Sequence, residues 1–477
     1  MRSGPFEPFT LFHIRLGLCY ELSDSSWKAP VRRHTVLTIT FIVGLYCAAS
    51  AAQTPPLVIT HITIIDTHGG PPQPDMAVII RGNRIAEVQR ANRDDWNGAT
   101  VLDGRGKFLI PGLWDMEVHL SWTTDSVLPL LIANGVTDVR DMGSNLQELE
   151  KWRTQISTGV VVGPYIFRVG PMLNGKSFNQ YQMVIGSPEQ ARGIVRTLKF
   201  IGMDALSLER RVPRDSYFAL MEEAKHEGIP VGGHIPIGVK PEEASDAGQV
   251  TIENADTLFE GMVLAGIPEE KISAAIAQFL ASGAADALFA RFVKNHTAYT
   301  PAISQFEWSL QDADPSAPKD PRKRYVAKSL RDFFLTQHPL APDDLKAMQK
   351  MFPELVKVVG RMNRDGVMLL AGTDIAGSRI PGFSLHDELS MLVKAGLNPL
   401  QALQTATLNP AIVLNRTQDF GSIEAGKIAD LVLLDANPLE NIDNTGRISA
   451  VVLKGRLLRR SDLDKLLQDA QQLANQN

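Results

Sequence analysis

The sequence predicts an α/β fold, a (β/α)8 TIM-type barrel with a small β-sandwich domain formed by the N- and C-terminal segments. Three observations predict it. Short apolar, β-branched runs alternate with helical patterns through the middle of the chain, the order that gives a parallel sheet covered by helices. Strand-rich stretches with no helix between them stand at both ends. Reactive polar residues directly follow many of the central apolar runs, where strands of such a barrel end and its chemistry sits.

The chain has 477 residues, 44% of them hydrophobic, enough for one large barrel and a smaller module. Its 37 glycines and 29 prolines are near average usage, which argues against collagen-like or bulk disordered sequence. The net charge is -5 with both signs mixed, so nothing points to a nucleic-acid binder, which needs clustered lysine and arginine.

In chain order, the first element is a leader over residues 1–52. Arg32, Arg33 and His34 precede an apolar run from Val36 to Ala49, and the small residues Ser50, Ala51 and Ala52 follow. That is the order of a secretory signal peptide, and the run is shorter than the roughly 20 residues a membrane span needs. The two cysteines, Cys19 and Cys47, both lie in this leader. A mature chain without thiols has no disulfide, no cysteine nucleophile and no zinc–thiolate site. The expected location is periplasmic or secreted.

The next segment, 57–107, holds the β-rich runs 57–66 and 77–81, with a hairpin turn at Arg81-Gly82-Asn83-Arg84. Its counterpart, 415–460, holds runs at 429–435 and 448–453 and a turn at Lys454-Gly455. These two segments form the expected composite β domain, and 461–477 reads as a C-terminal helix.

Between them, 108–414 reads as the barrel. Its strand candidates are 108–110, 135–140, 165–169, 205–208, 230–233, 250–252, 299–303 and 367–371. Ser187-Pro188-Glu189-Gln190 opens a helix with an N-cap, a proline in its first turn and a capping glutamine, and Gly202 closes it. Asn398-Pro399-Leu400-Gln401 opens another in the same way. The helical stretch 265–350 is longer than one crossover needs and predicts an insertion.

The residues at the strand ends are Glu117 and His119, Arg140 and Asp141, Ser207 and Glu209, His234, Asn254, and Asp374. Arg140 and Glu209 are candidate substrate contacts. His386 opens a helix and reads as a packing residue. No Gly-x-Ser-x-Gly elbow or Walker-type phosphate loop is present.

Several of these segments carry a resemblance. Pro111-Gly-Leu-Trp-Asp-Met-Glu-Val-His119 resembles the opening signature of the amidohydrolase superfamily. Gly135-Val-Thr-Asp-Val-Arg-Asp-Met142, Gly232-Gly-His234, Ile252-Glu-Asn254, Leu370-Ala-Gly-Thr-Asp374, Phe383-Ser-Leu-His-Asp-Glu-Leu389 and the segment 421–434 resemble its secreted prolidase-like and imidazolonepropionase-like branch. The resemblance implies metal ligands at the strand ends and an aspartate on the eighth strand that shuttles protons. His119, His234 and Asp374 match that pattern, and the resemblance implies that with Glu117 they supply two imidazoles and two carboxylates to one metal, a set that suits zinc, with iron or manganese as alternatives. Glu117 stands where a histidine belongs, Ser207 replaces a bridging lysine, and Asn254 replaces a histidine. Without a bridging carboxylate at Ser207, two cations about 3.5–4 Å apart would repel uncompensated.

The reading that follows is a metal-assisted hydrolase of carbon–nitrogen bonds in small amides, cyclic amides or dipeptide-like substrates. It uses one divalent metal, with Asp374 and His234 as catalytic groups. Two alternatives stay open: a catalytically silent relative acting as a periplasmic binding protein, and a metal-free acid–base enzyme on the same barrel. A homo-oligomer is compatible with all three. The leader predicts that N-terminal sequencing of the native protein will start near Ala52 or Gln53, and a chain that begins at Met1 would overturn that expectation.

Overall fold

Eight short strands at the two ends of the chain share one hydrogen-bonded sheet, although residues 112–430 separate its two halves. They are β1 (Leu57–Ile64), β2 (Gln73–Arg81), β3 (Arg84–Arg90), β4 (Thr100–Asp103) and β5 (Phe108–Pro111), followed late in the chain by β15 (Leu431–Leu434), β16 (Ile448–Leu453) and β17 (Arg456–Arg459). This computed structural model describes residues 55–476 apart from 93–94, 315, 338–341 and 376–378, so the leader and its two cysteines lie outside the described residues.

The sheet order is β17-β16-β15-β5-β1-β2-β3, with β4 pairing on β1. The expected sandwich is therefore one continuous sheet in its hydrogen bonding. β1 changes partner along its length, running parallel to β4 over 57–60 and to β5 over 63–64. The switch falls at His61, whose φ of 55° breaks the extended run. Ile59, Ile62, Val78, Leu109, Leu431, Leu433 and Val452 fill one apolar layer of this sheet. Arg81 pairs with Arg84 across the expected hairpin, and Ala450–Leu453 pairs with Arg456–Arg459 across the Lys454-Gly455 turn. Both turn residues there have positive φ, 48° and 80°, the type I′ geometry that matches strand twist.

One strand assignment is corrected. Residues 108–110, expected as the first barrel strand, pair antiparallel with β15 in the end sheet. A four-residue apolar run reads the same whichever sheet takes it. Pro111 ends it, and the next strand starts two residues later.

The central strands are β6 (Leu113–Val118), β7 (Val136–Asp141), β8 (Tyr165–Arg168), β9 (Met172–Asn174), β10 (Gln182–Val184), β11 (Leu206–Leu208), β12 (Val231–Gly233), β13 (Thr251–Glu253) and β14 (Ala298–Thr300). β6-β7-β8, β10-β9-β11-β12 and β13-β14 pair in parallel. Backbone bonds link these groups in chain order. Asp204 and Ala205 N–H donate to Arg168 O at 2.8 and 3.3 Å, and Val250 N–H to Val231 O at 2.8 Å. The segment 367–371 forms no regular strand, but Leu370 N–H donates to Tyr299 O and Met116 N–H to Ala371 O, both at 2.9 Å, which ties the last segment back to β6.

Helices lie between these strands. The one at Pro188–Phe200 starts as its sequence predicts, with Ser187 accepting from Gln190 N–H and Gly202 at φ 83° after its end. The one at Pro399–Thr405 carries the Asn398/Gln401 capping box. The long stretch before and after β14 holds helices at Glu269–Ala281, Gly283–Asn295, Ser304–Ala313, Lys328–Gln337 and Pro342–Arg364. The C-terminal helix spans Arg460–Gln476.

His386 is a packing residue in the helix Phe383–Lys394. Its Nε2 lies 3.1 Å from Asn134 O and its Nδ1 2.9 Å from Thr445 Oγ1, so the ring joins three distant parts of the chain. A carbonyl only accepts, so the neutral ring places its proton on Nε2. Burial pushes its pKa down to about 4, an effect the Asn134 carbonyl opposes and the charge of Arg322 reinforces. The sign follows: in the unfolded chain a histidine titrates near 6.5, so this stability is complete above that pH and is lost as pH falls from about 6.5 toward about 4. Urea unfolding should show stability falling by up to about 1.4 kcal/mol per pH unit across that window, with His386→Gln removing this component. An unchanged slope in the variant would show the ring is not the group that titrates.

Candidate active site

The residues at the ends of the central strands meet in one cavity of about 400 Å³. Glu117, His119, Ser207, Glu209, His234, Asn254 and Asp374 all line it. Two of them hold non-glycine backbones in the left-handed region, Asn254 at φ 67° and Asp374 at φ 48°. Such strained conformations gather at functional sites.

Asp115 fixes the lining residue Glu117 and Thr373, the chain neighbour of Asp374. It is fully buried, and its Oδ1 accepts from Glu117 N–H at 3.3 Å and Thr373 N–H at 3.0 Å, while Oδ2 accepts from Thr373 Oγ1 at 2.6 Å. It therefore clamps the end of β6 to the segment carrying Asp374. Glu117 closes the same joint from its backbone, accepting Asp374 N–H at 2.8 Å.

Glu117, His119 and Asp374 each offer one donor atom within 4.8 Å of the other two. His119 Nε2 lies 3.2 Å from Asp374 Oδ1, and Arg379 Nη1 lies 3.5 Å from Asp374 Oδ2. Burial works against a charged Asp374, but Arg379 and His119 outweigh it and hold the carboxyl below its ordinary range. Burial likewise opposes a charged His119, yet its bond to Asp374 moves the imidazole upward. Glu117 shifts well up, first by burial and then by repulsion from Asp374 and Glu253. Glu117 Oε2 and His119 Nδ1 are buried without a hydrogen-bond partner among the described residues. A buried oxygen left unpaired is costly, and a cation is the partner such a donor set lacks.

Of the four expected donors, Glu117, His119 and Asp374 offer atoms within 4.8 Å of one another, and His234 lines the same cavity outside that trio. Its Nε2 meets Arg210 Nη2 at 3.3 Å, while its Nδ1 lies 3.2 Å from Thr257 Oγ1 and 3.6 Å from Glu260 Oε2. Both ring nitrogens are thus engaged with the protein.

Arg140 is also corrected as a substrate contact. It is buried, and its guanidinium is spent inside the strands on Met116 O at 2.6 Å, Thr251 Oγ1 at 2.7 Å and Glu253 Oε1 at 2.6 Å. Glu209 remains a lining residue. Sequence reasoning missed Arg210, Glu260, Gln305, Arg379 and Trp122. Arg379 lies five residues past Asp374, and Arg210 directly follows Glu209, so proximity to strand ends was the available signal. Trp122 lies tilted beside His119 with ring centroids 5.7 Å apart, and Tyr181 packs tilted against Trp122 at 5.6 Å.

Residues 108–458 match the profile of the Amidohydrolase family, and the chain belongs to that family. Among curated proteins, imidazolonepropionase of Symbiobacterium thermophilum is 31% identical over 102 residues, covering 20% of this chain and 24% of that protein. Imidazolonepropionase of Shouchella clausii is 35% identical over 114 residues, covering 20% and 25%. The chain therefore spans about a quarter of the length of these curated relatives. Among solved structures, bottromycin amidohydrolase superposes with a TM-score of 0.71 at 21% identity, covering 87% of this chain and 90% of that one. At these identities the structural likeness speaks for the fold, a TIM-barrel-like α/β architecture with a sheet domain.

The Asp115 clamp gives a direct prediction. Asp115→Ala leaves the Glu117 and Thr373 amides without their shared acceptor. It should destabilise the protein by about 2–4 kcal/mol in chemical denaturation and loosen the Glu117–His119–Asp374 trio. Asp115→Asn, which keeps one acceptor oxygen, should cost clearly less. Equal losses in the two variants would remove the clamp from the account.

Proposed function

We propose that this chain is a hydrolase of carbon–nitrogen bonds in small amides, cyclic amides or dipeptide-like molecules, working with one divalent metal held by Glu117, His119 and Asp374. The observation that carries the reading is the three-donor cluster with two orphaned buried atoms, Glu117 Oε2 and His119 Nδ1. Membership of the amidohydrolase family supports the reaction class, and the family's use of divalent metals supports the cofactor. Zinc suits two carboxylates and an imidazole, with iron or manganese as alternatives. We further read the ring of parallel pairings as a closed (β/α)8 barrel, the end sheet as its companion domain, and the leader as an export signal.

A divalent ion in this cluster would supply Lewis acidity, making water acidic enough to attack at neutral pH and polarising the scissile carbonyl. The residues of the chain do the rest. Asp374 is ionised and faces the cavity, so it is the acceptor for the water's proton. The same proton then passes from Asp374 to the departing nitrogen. Arg379 keeps Asp374 charged between turnovers and is itself fixed by Gln305 at 2.8 Å. Trp122, Met142, Met172 and Phe306 give the cavity an apolar wall, and its volume accommodates a molecule of dipeptide size.

A metal-free variant draws on one specific observation. Asp374 already has two cationic partners, His119 and Arg379, and an Asp–His pair is an acid–base unit without an ion.

Elemental analysis of the purified mature protein should find about one metal per chain, and a chelator should abolish hydrolysis across a panel of N-acyl amino acids and dipeptides. His119→Ala should lose both metal and activity, by at least about 100-fold in kcat/KM. Two metals per chain would refute the single-ion reading. No metal with chelator-resistant hydrolysis would establish the acid–base variant, and no metal with no hydrolysis would leave a silent binding protein.

A further inference from the structure

The cavity is apolar on the side of His119 and charged on the side of His234. Trp122 lies beside His119, with ring centroids 5.7 Å apart. Met172 stands near the same imidazole: a Cβ added at Gly143 would collide with Met172 Cγ and lie 3.2 Å from His119 Nδ1, so thioether and imidazole flank one glycine. Met142 precedes that glycine and lines the cavity with them. This wall is held in place by its neighbours. Leu120 N–H donates to Asp141 Oδ1 at 3.1 Å and Ser121 N–H to Ser144 Oγ at 3.0 Å, which fixes the turn that carries Trp122. Tyr181 packs against the indole with ring centroids 5.6 Å apart, and its carbonyl accepts Met172 N–H at 3.0 Å. The lining groups Glu209 and Arg210 gather around His234 instead, where Arg210 Nη2 lies 3.3 Å from the imidazole Nε2 and Arg210 Nε 3.9 Å from Glu209 Oε2.

We propose that Trp122, Met142 and Met172 form a subsite for an aromatic or long aliphatic side chain beside the scissile bond, so that the substrates are amides of apolar amino acids. Trp122 and Met172 are the specificity-determining residues, and Tyr181 is a positioning residue that acts through both. An aromatic ring laid against the indole exchanges water for a flat apolar surface, and thioether sulfur makes favourable contacts with ring edges. Methionine is unbranched and adapts its shape, so the same wall admits leucine, methionine or phenylalanine side chains. A charged side chain placed there would lose its water without finding a partner, and glycine would leave the wall wet. The charged groups around His234 are left for the polar end of the substrate. This inference rests on the hydrolase reading, which places the scissile bond at the trio, but its test separates the two.

The test is calorimetric binding of three reduced-amide dipeptides, in which a methylene replaces the scissile carbonyl so that nothing is cleaved. They are the analogues of phenylalanyl-glycine, glycyl-phenylalanine and glycyl-glycine. The expected result is that one phenylalanine analogue binds about 10- to 100-fold tighter than the glycyl-glycine analogue, the gain from burying one benzyl group. That ratio should fall toward one in Trp122→Ala and in Met172→Ala, return in Trp122→Phe, and drop in Tyr181→Ala but not in Tyr181→Phe. Circular dichroism confirms that each variant is folded, and general loosening would weaken all three analogues alike without moving the ratio. The parent dipeptides are assayed for hydrolysis alongside. If the ratio is large and depends on Trp122 but no parent is cleaved, the apolar subsite stands and the hydrolase reading fails. If the parents are cleaved with equal kcat/KM and the analogues bind equally, the hydrolase reading stands and the subsite is refuted. Binding of none of the analogues, or an undiminished ratio in a folded Trp122→Ala/Met172→Ala double variant, would also overturn the proposal.

Discussion

The buried pair of Arg140 and Glu253 is the constraint on which the central strands depend. Arg140 sits on β7 and bonds Met116 O on β6, Thr251 on β13 and Thr300 on β14, while Glu253 on β13 also receives Arg140 and the Gly233 N–H of β12. One ion pair thus ties together strands drawn from five places in the sequence. Desolvating two such charges costs several kcal/mol per ion, and only full pairing offsets it. Here each guanidinium nitrogen and each carboxylate oxygen of the pair has a partner, so the pair specifies one arrangement of strands. The cavity above it inherits that rigidity: Glu117 follows Met116 by one residue, His234 follows Gly233, and Asn254 follows Glu253.

Electrostatics divides the cavity. On one side Asp374 is kept ionised by Arg379 and His119, with Glu117 pushed toward its protonated form by burial and by that same negative charge. On the other, Arg210 neutralises Glu260 and caps His234. The apolar wall and the Trp122–Tyr181 contact lower the local dielectric and strengthen each of these effects.

Much of this was legible in the sequence, and the reasons are physical. Pro111-Gly-Leu-Trp-Asp, the Gly-His step at 233–234 and the Thr-Asp step at 373–374 mark strand ends by residue type, and the cavity gathers them. The end strands announced themselves by β-branched runs and by turns that need positive φ. The rest depended on directions that sequence does not encode. Arg140 follows an apolar run just as a surface contact would, and only the packed strands show its guanidinium facing inward. Arg210 and His234 are 24 residues apart, and nothing in their spacing predicts that a guanidinium would take the imidazole nitrogen expected to bind metal. Residues 108–110 failed for a different reason, since a short apolar strand is equally at home in either sheet.

The backbone at Asn254 carries a further consequence. At φ 67° the chain is in a conformation that most side chains enter only at a cost, and asparagine is among the few non-glycine residues that tolerate it. Asn254 N–H is fixed to Thr300 O and its own carbonyl accepts from Tyr299 Oη, both at 2.8 Å, so the conformation is held from both sides. The residue at this position therefore answers to the main chain as well as to the cavity. Asparagine here suits the turn geometry, and the lining of the cavity at this point is set in part by what its peptide backbone permits.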